Sequence, residues 1–173
     1  RVSDVMTYIN NETSTTLGAT AEAMKEIGPY AVQAGLDFEN MAAGIGVLAN
    51  AGFRGKQAGT AMRNMLLSFT KMSDPARAEL KKLGLEQQDF IDMINKGDLQ
   101  GAVLKLDEAV KKKGYGAGEK FRVMNTIFNR FTSAKEMTLA LNAVKDGKWD
   151  ELTAGAKGSG GSAEKVAKRK LDS

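Results

Sequence analysis

Apolar side chains recur every three or four residues along most of the chain, which is the spacing of one face of an α-helix. The segments that show this spacing most clearly are 2–9, 17–27, 38–48, 62–69 and 121–131. β-Branched residues are few, and no stretch alternates apolar and polar positions as a strand does. The pattern predicts an all-α fold, a compact bundle of short helices with glycine or proline corners and no sheet.

Several helix ends are indicated by residues that cap or stop helices. Gly28-Pro29 predicts the end of the second helix, because proline lacks the amide proton that a helix interior needs. Asp37 predicts the N-cap of the next helix, and Asp74-Pro75 predicts an N-cap followed by proline at the first helical position. Ser133 and Glu136 have the spacing of a capping box.

The stretch GIGVLANAGFRGKQAGTAMRNML, residues 44–66, raises the question of a phosphate loop or a helical corner. A phosphate loop needs a leading glycine and a hydroxyl after the glycine-lysine pair, and Asn50 and Gln57 stand at those positions. The run 44–49 matches a loose dinucleotide fingerprint, but no strand precedes it. Small side chains let helices approach closely, so the stretch predicts a corner. Its candidate residues are Leu48, Ala49, Asn50, Gly52, Gly55, Gln57, Ala58, Gly59, Thr60 and Arg63.

The domain organisation is predicted from where glycine and charge accumulate. Residues 1–152 are predicted to form a helical core domain, and 153–162, with four glycines, a flexible linker. Residues 163–173 are predicted to be a basic helical tail that leads into the rest of a longer chain.

The amino-acid composition limits which catalytic and metal-binding groups the chain can supply. The chain has no cysteine and no histidine, which excludes disulfides, thiol nucleophiles, serine-histidine triads and the usual zinc sites. The carboxylate pairs Asp89/Asp92 and Asp146/Asp150 lie in polar, lysine-containing segments and are interpreted as solvated helix faces. The sequence therefore predicts no enzyme activity, no cofactor and no metal.

Charge leaves a second interpretation open. The net charge of +4 divides unevenly, because residues 1–53 hold six acidic and two basic residues while the rest of the chain is strongly basic. Two basic runs, 111–113 and 168–170, together with a pI near 9.2 are compatible with nucleic acid. The alternative hypothesis is accordingly a basic helical module that binds nucleic acid or an acidic protein surface. Arg63 and Asn64 are its candidates for base reading, and contact with DNA is expected to be non-specific.

The corner region also carries a family resemblance. The chain resembles the core of phage tail tape-measure proteins in LDFENM at 36–41, IGVLANAG at 45–52, Gly55, QAGTA at 57–61 and Arg63. The likeness extends from Gly28-Pro29 to Ile127-Phe128, after which Asn129-Arg130-Phe131 departs from the family pattern.

The resemblance implies a structural protein of phage tail assembly, in the tail tube lumen of the virion and in the host cytoplasm during assembly. It implies a role in setting tail length and release during genome ejection. The implied partners are other copies of the chain, the tail tube protein, tail assembly chaperones and baseplate or tail-tip proteins, with no small-molecule substrate. A continuous helix of this length would measure about 260 Å. The frequent corners instead predict a compact domain within or beside a longer ruler.

Overall fold

A computed structural model describes residues 1–128 and 134–172, and within them the chain forms helices and no strand. The all-α expectation is confirmed. In chain order the described helices are α1 (Val2–Glu12), α2 (Leu17–Ala34), α3 (Phe38–Asn50), α4 (Lys56–Thr70), α5 (Asp74–Lys82), α6 (Gln87–Asn95), α7 (Leu99–Lys112), α8 (Ala117–Phe128), α9 (Ala134–Lys145), α10 (Lys148–Lys157) and α11 (Ser162–Asp172). None of the helices in these ranges combines the length and the apolar character that a bilayer crossing requires.

Helix α3 lies at the centre of the fold. All its residues from 39 to 49 are buried, and most of them are small or apolar. A helix that is apolar on every side must be enclosed by other elements. Helices α1, α2, α4, α9 and α10 all contact it. Helices α5 to α8 contribute further buried residues to the same core.

A second concentration of apolar volume joins α4, α6 and α8. The ring of Phe69 stacks on Phe90 with centroids 5.3 Å apart, and Phe128 meets Phe69 edge-on at 5.6 Å. All three rings are buried. Aromatic pairs in these two geometries contribute about 0.5–1.5 kcal/mol beyond their buried area. This cluster joins α8 to α4 and α6.

The N-caps follow the expected residue types, with one shift. Asp37 caps α3 by accepting a hydrogen bond from the Asn40 amide, as predicted. Helix α5 begins one residue earlier than predicted. Ser73 is its N-cap, and Asp74-Pro75 occupies the first two helical positions. The prediction was wrong because both residues suit a cap, and the Ser73 hydroxyl is the group that accepts from the Ala76 amide.

Helix α2 does not end at Gly28-Pro29. It continues through Pro29 to Ala34 and ends at Gly35, which has a left-handed conformation. Proline removes one helical hydrogen bond but leaves the later ones possible. Ile27 before it and Ala31 after it are both buried. Packing of this continuous face against the core therefore outweighs the local cost of the proline.

The predicted linker at 153–162 is partly helical. Helix α10 extends to Lys157, and Thr153, Ala156 and Ser159 are buried. A glycine within a helix lets another group approach closely, and the Tyr8 side chain lies against Gly155. The division of the chain into core, linker and tail stays a prediction.

The C-terminal helix α11 packs against α1 without burying any side chain fully. Asp4 of α1 accepts a hydrogen bond of 2.9 Å from the Ala163 amide at the start of α11. Backbone amides of Ala163 and Gly161 lower the pKa of the Asp4 carboxyl. Of the predicted features further upstream, the capping serine at 133 and the aromatic residue at 131 lie outside the described residues.

Candidate functional site at the helical corner

The chain changes direction between α3 and α4, and backbone amides of the connection donate hydrogen bonds to the last carbonyls of α3. The amides of Ala51 and Phe53 donate to the Leu48 carbonyl, and the Gly52 amide donates to the Ala49 carbonyl, at 2.9–3.1 Å. A phosphate loop needs such amides free to surround an anion. The connection therefore closes a helix end and offers no amide cradle over these three residues.

Gly55 sets the direction in which α4 begins. Its backbone has φ +58° and ψ −130°, a combination that is open almost only to glycine. A Cβ there would lie 2.6 Å from the Glu22 Oε2 atom of α2. The nearest side chain is thus a carboxylate, which would repel a phosphate group at this position.

Ala58 and Gly59 are the contact point of α4 with α2. Both are buried, and a Cβ on Gly59 would collide with the carbonyl oxygen and the Cα of Ala23 and with Glu26 Cβ. The two backbones meet here because Gly59 has no side chain and faces the backbone of Ala23. The small residues after the corner therefore pack mainly against α2.

The small residues before the corner contact other helices. A Cβ on Gly44 would lie 2.5 Å from Trp149 Cζ2 of α10 and 2.8 Å from the Met62 side chain of α4. A Cβ on Gly46 would meet Thr13 and Ile9 at the end of α1. The two helices that flank the corner do contact each other. Gly44 and Gly46 of α3 lie against α1, α4 and α10, whereas Gly59 of α4 lies against α2.

The remaining residues of the predicted corner set lie at different depths. Leu48 and Ala49 are buried in the core. The Asn50 side-chain oxygen accepts a hydrogen bond of 2.9 Å from the Ser14 amide, which ties the α1–α2 connection to the end of α3. Gly52 is exposed within the connection. Gln57 and Thr60 line a shallow surface hollow of about 340 Å³ together with Phe53, Lys56 and Glu136.

Arg63 lies two turns into α4 and faces α2. Its guanidinium is 3.5 Å from the Glu26 carboxylate and 5.7 Å from the centre of the Tyr30 ring. An arginine held by an acid and an aromatic ring is a packing element of the interface. It is therefore unavailable as the base-reading residue of a helix-turn-helix.

The other chemical motifs of the sequence also have structural roles. Asp89 caps the start of α6, and Asp92 accepts a hydrogen bond from Gln88. Asp146 accepts from the Lys148 amide. The loose dinucleotide run lies inside the buried helix α3. Across the described ranges, no three potential ligand side chains converge as a metal site would require.

A buried polar network beside α3 was missed at the sequence level. Asn40 accepts a hydrogen bond of 3.0 Å from the Trp149 indole and donates one of 2.9 Å to the Gln100 side chain. Gln100 in turn donates to Asp150 at 3.1 Å. Buried polar groups that are all partnered specify one arrangement of the helices around them. The single tryptophan of the sequence was the one available signal, because a buried indole needs an acceptor.

Comparison with known proteins gives one matching family and two named relatives. The model of the family described as phage-related minor tail protein matches residues 1–129. The chain is 30% identical over 163 residues to a probable tape measure protein of Escherichia phage P2, covering 92% of this chain and 19% of that protein. It is 30% identical over 171 residues to a tape measure protein of Pneumococcus phage Dp-1, covering 99% of this chain and 14% of that protein. The chain thus spans less than a fifth of the length of either relative. No solved structure matches it significantly.

Proposed function

The chain belongs to the phage-related minor tail protein family, and from that premise we propose that it is a folded domain of a tape-measure protein. The observation that carries this proposal is the position of the close-packed corner. The helix crossing at Gly59 and the buried helix α3 both lie within the matched residues 1–129. The residues that match the family accordingly determine how the helices pack, which is consistent with a structural protein.

In this proposal the domain contributes a compact unit to a longer ruler. The longest described helix has 18 residues, which corresponds to about 27 Å. A compact chain of this size has a radius of gyration of about 16 Å. The segment is therefore short in relation to its number of residues. In this proposal the length of the tail is set by other parts of the longer tape-measure protein.

The further properties of tape-measure proteins are part of the same proposal. The chain acts without catalysis, in the tail tube lumen of the virion and before that in the host cytoplasm. Its partners are other copies of itself, the tail tube protein, tail assembly chaperones and baseplate or tail-tip proteins, and it leaves the tube during genome ejection. The family membership and the two tape-measure relatives support this set.

Deletion of the segment from the full-length protein tests the proposal directly. In a phage that encodes this chain, residues 1–173 are removed in frame and the tails are measured by electron microscopy. A ruler that counted this segment as continuous helix would give tails shorter by about 260 Å. We expect fewer assembled tails, and those that do assemble should change in length by much less than this. Normal numbers of infectious virions with unchanged tails would contradict a role in the tail.

The alternative of a nucleic-acid module is not favoured by the corner, because Arg63 is engaged by Glu26 and Tyr30. The basic residues Lys112 and Lys113 remain exposed at the end of α7. We expect weak binding to DNA that lacks sequence preference and falls steeply with salt. A salt titration with two unrelated duplexes measures this, and a preference between them would revive the alternative.

A further inference from the structure

An apolar groove lies between α8 and α9, outside the corner. Its volume is about 340 Å³. Its floor is made by the buried side chains of Phe128, Met137 and Leu141. The residues that line it are Ala117, Lys120, Phe121, Met124, Phe128, Met137, Thr138, Leu141, Asn142 and Lys145. All ten belong to the described helices.

Phe121 stands at the rim of this groove and is 61% exposed. With Met124 and Phe128 it forms the i, i+3, i+7 stripe of α8, so the stripe begins in solvent and ends in the core. A phenylalanine left in water forgoes most of the stabilisation that its burial would give. Methionine side chains beside it adapt to different apolar partners. The groove therefore has the composition of a surface that another apolar group covers.

One end of the groove is positively charged. Lys120 and Lys145 line it, and both approach the buried carboxylate of Asp107 on α7, at 3.9 and 3.1 Å. Lys111 reaches the same carboxylate at 3.1 Å. Three ammonium groups thus share one buried carboxylate, and Lys120 and Lys145 bring positive charge to this end of the groove.

We propose that the α8–α9 groove binds an amphipathic helix of a partner protein that carries acidic residues at the end next to Lys120 and Lys145. Two or three apolar side chains of that helix cover Phe121 and Met124, and its carboxylates offset the local positive charge. Recognition by apolar anchors on one helix face is an established mode for grooves of this kind. This inference rests on the groove itself and stands independently of the proposed tail function.

A second copy of the chain fits the groove less well. The acidic part of the chain, residues 1–53, exposes Val2, Leu17 and Val32 as its large apolar residues. Val2 is on α1, and Leu17 and Val32 lie near opposite ends of α2. They do not form one continuous apolar stripe beside acidic residues. A separate segment with both properties on one helix is the better complement.

Binding of two designed peptides tests this proposal on the whole 173-residue chain. Both are fluorescein-labelled helical peptides of about 15 residues with the same leucine stripe. One carries glutamates at its polar positions and the other carries lysines. Fluorescence anisotropy should show saturable binding of the acidic peptide and none of the basic one. Phe121→Ala and Lys120→Glu should each weaken binding of the acidic peptide about tenfold or more.

Two matched variants outside the groove serve as controls. Val32→Ala removes an exposed apolar side chain from α2, and Lys25→Glu reverses an exposed charge on the same helix. Both should bind the acidic peptide like the unmodified chain, and circular dichroism should show that all variants are folded. Absence of saturable binding, equal binding of the basic peptide, or full affinity in Phe121→Ala would overturn the proposal. A dimer in sedimentation that Phe121→Ala dissociates would overturn it in favour of a second copy.

Discussion

The contact between α2 and α4 and the face formed by α8 and α9 are built on opposite principles. At the first, two backbones meet at Gly59 with no space for a methyl group. At the second, two helices diverge around a groove of about 340 Å³ with Phe121 exposed at its rim. Both regions have the same helical periodicity in the sequence. What differs is the size of the side chains at the crossing, which decides how closely two helices approach.

This difference separates residues that hold the fold from residues that are free to bind. Close packing at Gly59 leaves no space for another group between the two helices, so this crossing is interpreted as structural. The groove contributes less to folding, because part of its apolar stripe is in water. Substitutions in the first region should therefore change stability, and those in the second should change binding. The following predictions test that division.

The largest effect is expected at the helix crossing. Gly59→Ala places a methyl group against the backbone of Ala23, which cannot move as a side-chain end could. We expect a loss of about 3 kcal/mol in the free energy of unfolding, even though alanine favours helices over glycine. Urea denaturation measures it. Gly18→Ala on α2 is the matched control, because no other element lies within 4 Å of that added methyl group, and it should be neutral or stabilising. Equal behaviour of the two variants would show that the crossing is loosely packed.

A smaller loss is expected at the start of α4. Gly55→Ala forces a side chain into a backbone conformation with φ +58°, which should cost about 2 kcal/mol in the free energy of unfolding. Gly160→Ala, in the connection before α11, adds a methyl group in open space and should cost less than about 0.5 kcal/mol. Thermal unfolding of both variants gives the comparison. An unchanged melting temperature in Gly55→Ala would remove the backbone argument for this glycine.

Asp107, whose carboxylate is shared by three lysines, should contribute moderately to the free energy of unfolding, and this contribution should depend on pH. Burial alone would raise the pKa of Asp107, but hydrogen bonds from Lys145 and Lys111 outweigh it and hold the pKa below its usual value. Asp107→Asn should cost about 1–2 kcal/mol at neutral pH. Because the folded pKa is the lower one, this stabilisation is present above the unfolded value near 4 and is lost as pH falls below it.

Denaturation at pH 7 and pH 3 tests the sign of that dependence. The difference in the free energy of unfolding between the unmodified chain and Asp107→Asn should be smaller at pH 3 than at pH 7. Asp92→Asn is the control, since Asp92 is exposed and accepts one hydrogen bond from Gln88. It should change stability by less than about 0.5 kcal/mol. A difference that grows on acidification would contradict the proposed role of the lysines.

The smallest effect on stability is expected at the groove. Phe121→Ala should change the free energy of unfolding by less than about 0.5 kcal/mol, because most of the ring is already in water. Denaturation of this variant beside Gly59→Ala measures the contrast between the two regions directly. A loss comparable to that of Gly59→Ala would mean that Phe121 holds the fold, and the division drawn above would fail.

The sequence by itself determined the helices and several of their ends. A spacing of three or four residues is a local property, and so are the Asp37 cap and the glycines between α3 and α4. The same local residues carried the family resemblance, which the comparisons confirm. These features were readable because each depends on residues only a few positions apart.

Only the tertiary structure decided which faces meet. The sequence shows that Gly59 has no side chain, yet its contact with Ala23 depends on where α2 lies. Continuation of α2 through Pro29 was decided in the same way, by packing that outweighed a local penalty. The bond between Asn40 and Trp149 joins residues 109 positions apart. Asp107 likewise collects lysines from three helices. Such contacts form between elements whose mutual arrangement is set by the packing of the whole core, and no short window of sequence encodes that arrangement.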